Sequence, residues 1–127
     1  MDLADLKRKA DAAREYQVQV GALSFTCRLP TAHEVEMETA RAWSVERDNL
    51  AVLLAVRRAL VERAVVAWSG VTEAMLGPGA TDMPAEVSPA AVGLLLDADA
   101  GVCDALLGQF VERSAARNQR KDTAAKN

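Results

Sequence analysis

Residues 16–34 read YQVQVGALSFTCRLPTAHE, and their reading decides how the rest of the chain is parsed. With Gly21-Ala22 as a two-residue turn, glycine at the first central position suits a type II′ β-hairpin. Counting outward, Val20 faces Leu23, Val18 faces Phe25 and Tyr16 faces Cys27. Side chains alternate along a strand, so all three apolar pairs lie on one face. Gln19 with Ser24 and Gln17 with Thr26 form the other. A two-stranded ribbon alone is marginal in water, so its apolar face must rest on helices or join a larger sheet. The reading places it on the helix expected at 50–68, with two outer edges left unpaired, one of them open to strand addition by another copy or a partner protein.

Pro30 ends the ribbon and Thr31 opens a helix. Glu34 stands three residues beyond Thr31, the spacing of a capping box. His33 falls in the first turn as an exposed residue. It is the only histidine, so no second one is present to share a metal. The helix reads TAHEVEMETARAWSVERD, with a thin apolar face of Val35, Ala42 and Trp43. Asp48 is a candidate N-cap for a second, stronger helix. There Leu50, Leu53, Leu54, Leu60, Val61, Ala64, Val65 and Trp68 recur at three- and four-residue steps, interrupted by Arg57. That spacing predicts a core helix running to Trp68, closed by Ser69-Gly70, with Arg58 and Glu62 as an (i, i+4) pair.

Residues 71–87 hold glycines and prolines and read as a short helical turn at 72–76 followed by an irregular loop. Gly77 and Gly79 around Pro78 are too sparse for a phosphate loop, with no strand before them and no Lys-Ser/Thr after. Ser88-Pro89 restarts a helix by the N-cap and N1 rule. DADAG interrupts it, and a last helix carries Val102, Leu106 and Phe110 in one line. The polar end, 118–127, is expected to fray. The fold class is therefore mainly α: about four to five helices with one N-terminal β-hairpin packed on them. A single domain spans 1–127, with an N-terminal helix or arm at 1–15, the hairpin at 16–29, and a helical body at 31–121 containing the 71–87 loop.

Composition narrows function. Half the residues are apolar, and 15 basic residues against 18 acidic ones leave a net charge of −3. That balance is unlike a dedicated nucleic-acid binder. Cys27 and Cys103 are far apart without ligand spacing, which reads as two reduced thiols. The N-terminus has no signal-peptide pattern, and the apolar runs 50–56 and 89–96 are far short of the roughly 18–20 residues that span a bilayer. No Cys–His pair, serine elbow or ligand cluster stands out, and the acids at 97 and 99 read as helix caps. No catalytic residue, cofactor or metal site is assigned.

Three stretches, FTCRLPTAHE, the helix closing in AVVAWSGV, and SPAAVGLLLDADAGVCDALL, resemble the tail assembly chaperones of long-tailed bacteriophages and related prophages. Together they lie within residues 24–121. The resemblance implies a mostly helical, non-enzymatic protein of the host bacterial cytoplasm. It implies binding of the phage tape measure protein and tail tube protein during tail morphogenesis, and departure before the virion is finished. Nucleic acid, membrane and small-molecule substrates are not expected, and self-association stays open. A structural virion component of the tail, baseplate or connector is the alternative. Partner contact is expected at Trp43 on the thin first stripe, and at Met75, Leu76 and Met83 as adaptable apolar contacts on the loop.

Overall fold

The computed structural model describes residues 1–126. It is mainly helical, with six helices and one antiparallel sheet of three strands. In chain order these are α1 (Leu3–Ala13), β1 (Glu15–Val20), β2 (Leu23–Arg28), α2 (Ala32–Val45) and α3 (Asn49–Ala64). They are followed by β3 (Val65–Ser69), the single turn α4 (Glu73–Leu76), α5 (Pro89–Ala98) and α6 (Ala100–Lys126).

The hairpin has the register the sequence predicts, with Tyr16 opposite Cys27, Val18 opposite Phe25 and Val20 opposite Leu23. Gly21 has φ +58°, and among the described residues no non-glycine residue has positive φ. A type I′ turn would need positive φ at Ala22 as well, so the turn is II′. The caps at Thr31, Asp48, Ser88 and Asp99 are where the residues place them, whereas Asp97, also expected as a cap, lies within α5 and pairs with Arg58. Thr31 Oγ1 accepts from the Glu34 amide at 3.1 Å while the Glu34 carboxylate accepts from the Thr31 amide at 3.0 Å. Asp48 caps α3, Ser88 caps α5, and Asp99 accepts from the Val102 amide at the start of α6.

One element differs. The helix expected to run through Trp68 ends at Ala64, and the next five residues form β3 on the open edge of β2. Ser24 lies opposite Ser69, Phe25 opposite Trp68 and Thr26 opposite Ala67, but Cys27 lies opposite Val65, so Val66 is an extra bulged residue. Val65 and Trp68 are three apart and would face opposite sides of a regular strand. The bulge turns both to the core side. An i, i+3 pair of large apolar residues is also the mark of a helix, which is why this strand reads as one. Gly70, φ +87°, ends β3 where a Cβ would lie 3.1 Å from the Ala22 carbonyl oxygen, so only glycine fits.

The sheet order β1-β2-β3 takes up one hairpin edge and leaves β1 outermost. Its apolar face, with Tyr16, Val18, Phe25 and Cys27, joins one core with Leu60 and Val61 of α3, Val92, Leu95 and Leu96 of α5, and Val102, Leu106 and Phe110 of α6. The ribbon therefore rests on several helices, with α6 packed along β1 and α3 extending into β3. Phe25, fully buried, meets Trp68 edge-to-face with ring centroids 6.4 Å apart.

Two further expectations change. The 71–87 loop is not irregular throughout: its arms are bonded across by Glu73 N–H to Met83 O, Ala74 N–H to Thr81 O and Ala85 N–H to Val71 O, all at 2.8–3.0 Å. Residues 118–126 continue α6 as helix in place of a frayed tail, and Asn127 lies outside the described residues.

Candidate functional site

The residues named as partner contacts fall on two separate parts of the fold. Trp43 is on α2, which packs mainly on α3. Met75 and Leu76 are on α4, which packs on α5, with Met83 on the returning arm of the same loop. Trp43, Met75 and Met83 are exposed, whereas Leu76 is half-buried against the core. The four do not form one site. His33 is exposed on the first turn of α2.

The apolar stripe of α3 is the larger feature. Its C-terminal half, Leu60, Val61 and Ala64, is buried, and Val52 on another side of the helix is buried as well. Its N-terminal half is not covered: Leu50 is 61 % exposed, and Leu53 and Leu54 are about half exposed. The end of α2 adds Trp43, 43 % exposed, and Val45, 74 % exposed. The α2–α3 corner thus presents five large apolar side chains to solvent. Clustered exposure of this kind marks contact surfaces more often than scattered single residues do. Periodicity marked these leucines as one face, but a helical period says nothing about what covers it.

On the other side of that stripe runs a groove of about 400 Å³ between α3 and α6. Leu53, Val56, Leu60, Phe110 and Val111 supply its apolar walls. Its ionisable residues are Arg57 and Arg117, and no carboxylate lines it. Ser114 Oγ and Arg117 Nε are buried without a hydrogen-bond partner. At the rim, Arg117 Nη1 donates to the Pro30 carbonyl at 2.8 Å, and Arg14 Nη1 donates to the neighbouring Leu29 carbonyl at 2.5 Å. Burial, with the adjacent Arg14 charge adding to it, lowers the Arg117 pKa below the usual guanidinium range.

The other polar clusters have structural work. Arg58 donates to the Glu62 carboxylate, the Gly93 carbonyl and the Asp97 carboxylate, tying α3 to α5. Glu38, 3 % exposed, accepts from both Arg41 and Arg63. Arg113 lies over the Tyr16 ring at 5.6 Å. Burial raises the Tyr16 hydroxyl well above its ordinary range and holds the Cys27 thiol up at about 11. Both cysteines are free thiols. Among the described residues no group of three or more His, Cys, Asp or Glu is placed to hold a metal ion, and no helix is long and apolar enough to cross a membrane.

The fold defines a small, mainly helical domain with a three-stranded sheet laid on its core. Comparison with protein-family models, with curated proteins and with solved structures gives no match.

Proposed function

We propose that this chain is a non-enzymatic tail assembly chaperone of a long-tailed phage or prophage, holding the tape measure or tail tube protein soluble in the host cytoplasm until assembly. The observation that carries the binding role is the α2–α3 corner, where Trp43, Val45, Leu50 and Leu54 are exposed together. Exposed apolar side chains in an amphipathic setting suit a partner helix or sheet that is itself aggregation-prone. The choice of partner rests on the resemblance of residues 24–121 to that chaperone family. Met75 and Met83, exposed on the bonded loop, are a second and smaller contact.

Affinity capture from infected lysate and mass spectrometry of purified particles test the proposal together. Recovery of tape measure or tail tube protein with this chain, and its absence from mature virions, is the expected result. Stoichiometric recovery from mature virions overturns the chaperone role in favour of a structural virion component.

A further inference from the structure

The single chain leaves two complementary surfaces without cover. The first is α1. None of its residues is buried, and it makes no substantial contact with any other helix or strand. It is fastened at its end by the Leu29 N–H to Arg14 carbonyl bond and by Arg14 Nη1 to the Leu29 carbonyl. Its stripe is Leu3, Leu6 and Ala10 at i, i+3 and i+7, with Leu3 81 % and Leu6 52 % exposed. An isolated helix of 11 residues is marginal in water, so this one needs a surface to lie on.

The second surface is the α3–α6 groove. It has apolar walls, two arginines and no acid among its lining residues. Arg57 makes no ion pair among the described residues, and Ser114 Oγ and Arg117 Nε are buried without partners. The occupant it suits has an apolar stripe flanked by carboxylates. In α1, Leu3 and Leu6 directly follow Asp2 and Asp5, exposed carboxylates that within the single chain cap the helix and pair with Arg8, and no lysine or arginine side chain precedes Lys7. Position agrees as well. α1 leaves the body at Arg14, bonded beside Pro30, which lines the groove. Two copies about a two-fold axis near Pro30 can therefore exchange their first helices at short reach.

We propose that α1 of a second copy docks in the α3–α6 groove, reciprocally, to form a two-fold dimer. Leu3 and Leu6 enter between Leu53 and Val111, and Asp2 and Asp5 lie toward Arg57 and Arg117. This surface shares Leu53 with the α2–α3 corner but none of Trp43, Val45, Leu50 or Leu54, so variants at those four residues and at α1 let either proposal fail alone.

Sedimentation equilibrium of the full chain over a wide concentration range tests it. Wild type dimerises. The Leu3→Asp/Leu6→Asp variant on one surface and Val111→Asp on the other each weaken dimerisation at least about tenfold. Thermal melts at concentrations where wild type is monomeric stay near wild type, because all three side chains are exposed in the single chain, and the wild-type melting temperature alone rises as concentration favours the dimer. Arg57→Glu weakens it in the same direction. An equimolar mixture of the α1 variant and Val111→Asp retains one intact helix–groove contact, so the mixed dimer forms more readily than either variant alone. A monomeric wild type, variants that dimerise like wild type, or a mixture with no recovery would each overturn the proposal, and dimerisation lost in the α1 variant but kept in Val111→Asp would point to α1–α1 pairing.

Discussion

Trp68 on β3 donates its indole N–H to the Ala85 carbonyl at 2.8 Å, so the edge of the sheet holds down the returning arm of the loop that follows it. The same ring packs edge-to-face on Phe25, and one side chain thus joins sheet, core and loop. Its role is to fix the loop as much as to fill the core. Trp68→Phe keeps most of the packing and removes one neutral hydrogen bond, a loss of about 1 kcal/mol. Trp68→Ala loses both, about 3 kcal/mol, at the low end for large aromatic deletions because the ring is only half-buried. Chemical denaturation measures both. Hydrogen exchange should report faster opening at the Ala85 amide, bonded to Val71, in both variants.

The capping box gives a pH signature. The Thr31 backbone N–H bonded to the Glu34 carboxylate holds its pKa below the ordinary glutamate range, with the Thr31 hydroxyl and Arg14 adding to it against desolvation. A depressed folded pKa contributes stability that is present above the unfolded pKa and lost as pH falls through the folded one. Glutamine at this position keeps an acceptor without the titration. Thermal melts of wild type and Glu34→Gln should therefore converge as pH is lowered through that window, with wild type the more stable at neutral pH.

Cys27 and Cys103 should separate by reactivity. Cys27 is 1 % exposed with a thiol held up at about 11, whereas Cys103 is only partly buried. The thiolate is the reactive form, so burial and the raised pKa both protect Cys27. Native alkylation read by peptide mass spectrometry should label Cys103 first, with Cys27 reacting only on unfolding. A folded pKa raised above the unfolded value also means that this contribution to stability falls away as pH rises toward 11.

The local chemistry of the chain was legible in its residues, and its long-range pairings were not. Gly21, Thr31 with Glu34, Asp48 and Ser88 each act on neighbours within four positions, so turn and cap rules reach them. β3 was missed because its partner β2 lies some 40 residues away, and the bulge at Val66 gave Val65 and Trp68 a helical spacing. Arg58 with Glu62 was visible as an (i, i+4) pair, but the Gly93 and Asp97 contacts that make it a tie between helices are 35 and 39 positions off. Of the four expected contact residues, Trp43, Met75 and Met83 are exposed and Leu76 is half-buried against the core. That they lie on different elements is a matter of topology. The uncovered leucines of α3 and the unpacked α1 were hidden for one reason: a stripe records that a face is apolar, and only the packed chain reveals whether its own body covers it.

That distinction supplies the last test. If Leu50 and Leu54 belonged to the core, as their spacing suggests, changing both to lysine would cost several kcal/mol, the range for losing large core side chains. In the folded chain they stand 61 % and 52 % exposed at the α2–α3 corner, beside Trp43 and Val45. Leu50→Lys/Leu54→Lys should then change unfolding free energy by no more than about 1 kcal/mol in total, the sum of two ordinary surface substitutions. Long lysine stems still lie along the helix surface, and both residues are good helix formers. If the proposed chaperone role holds, capture of its tail-protein client should fall by at least about tenfold, since two charges would have to be desolvated at the contact. Trp43→Ala should follow the same pattern, with stability near wild type and binding weakened. A large loss of stability in either variant would return these side chains to the core. Unchanged binding with unchanged stability would move the client surface away from this corner, toward Met75 and Met83.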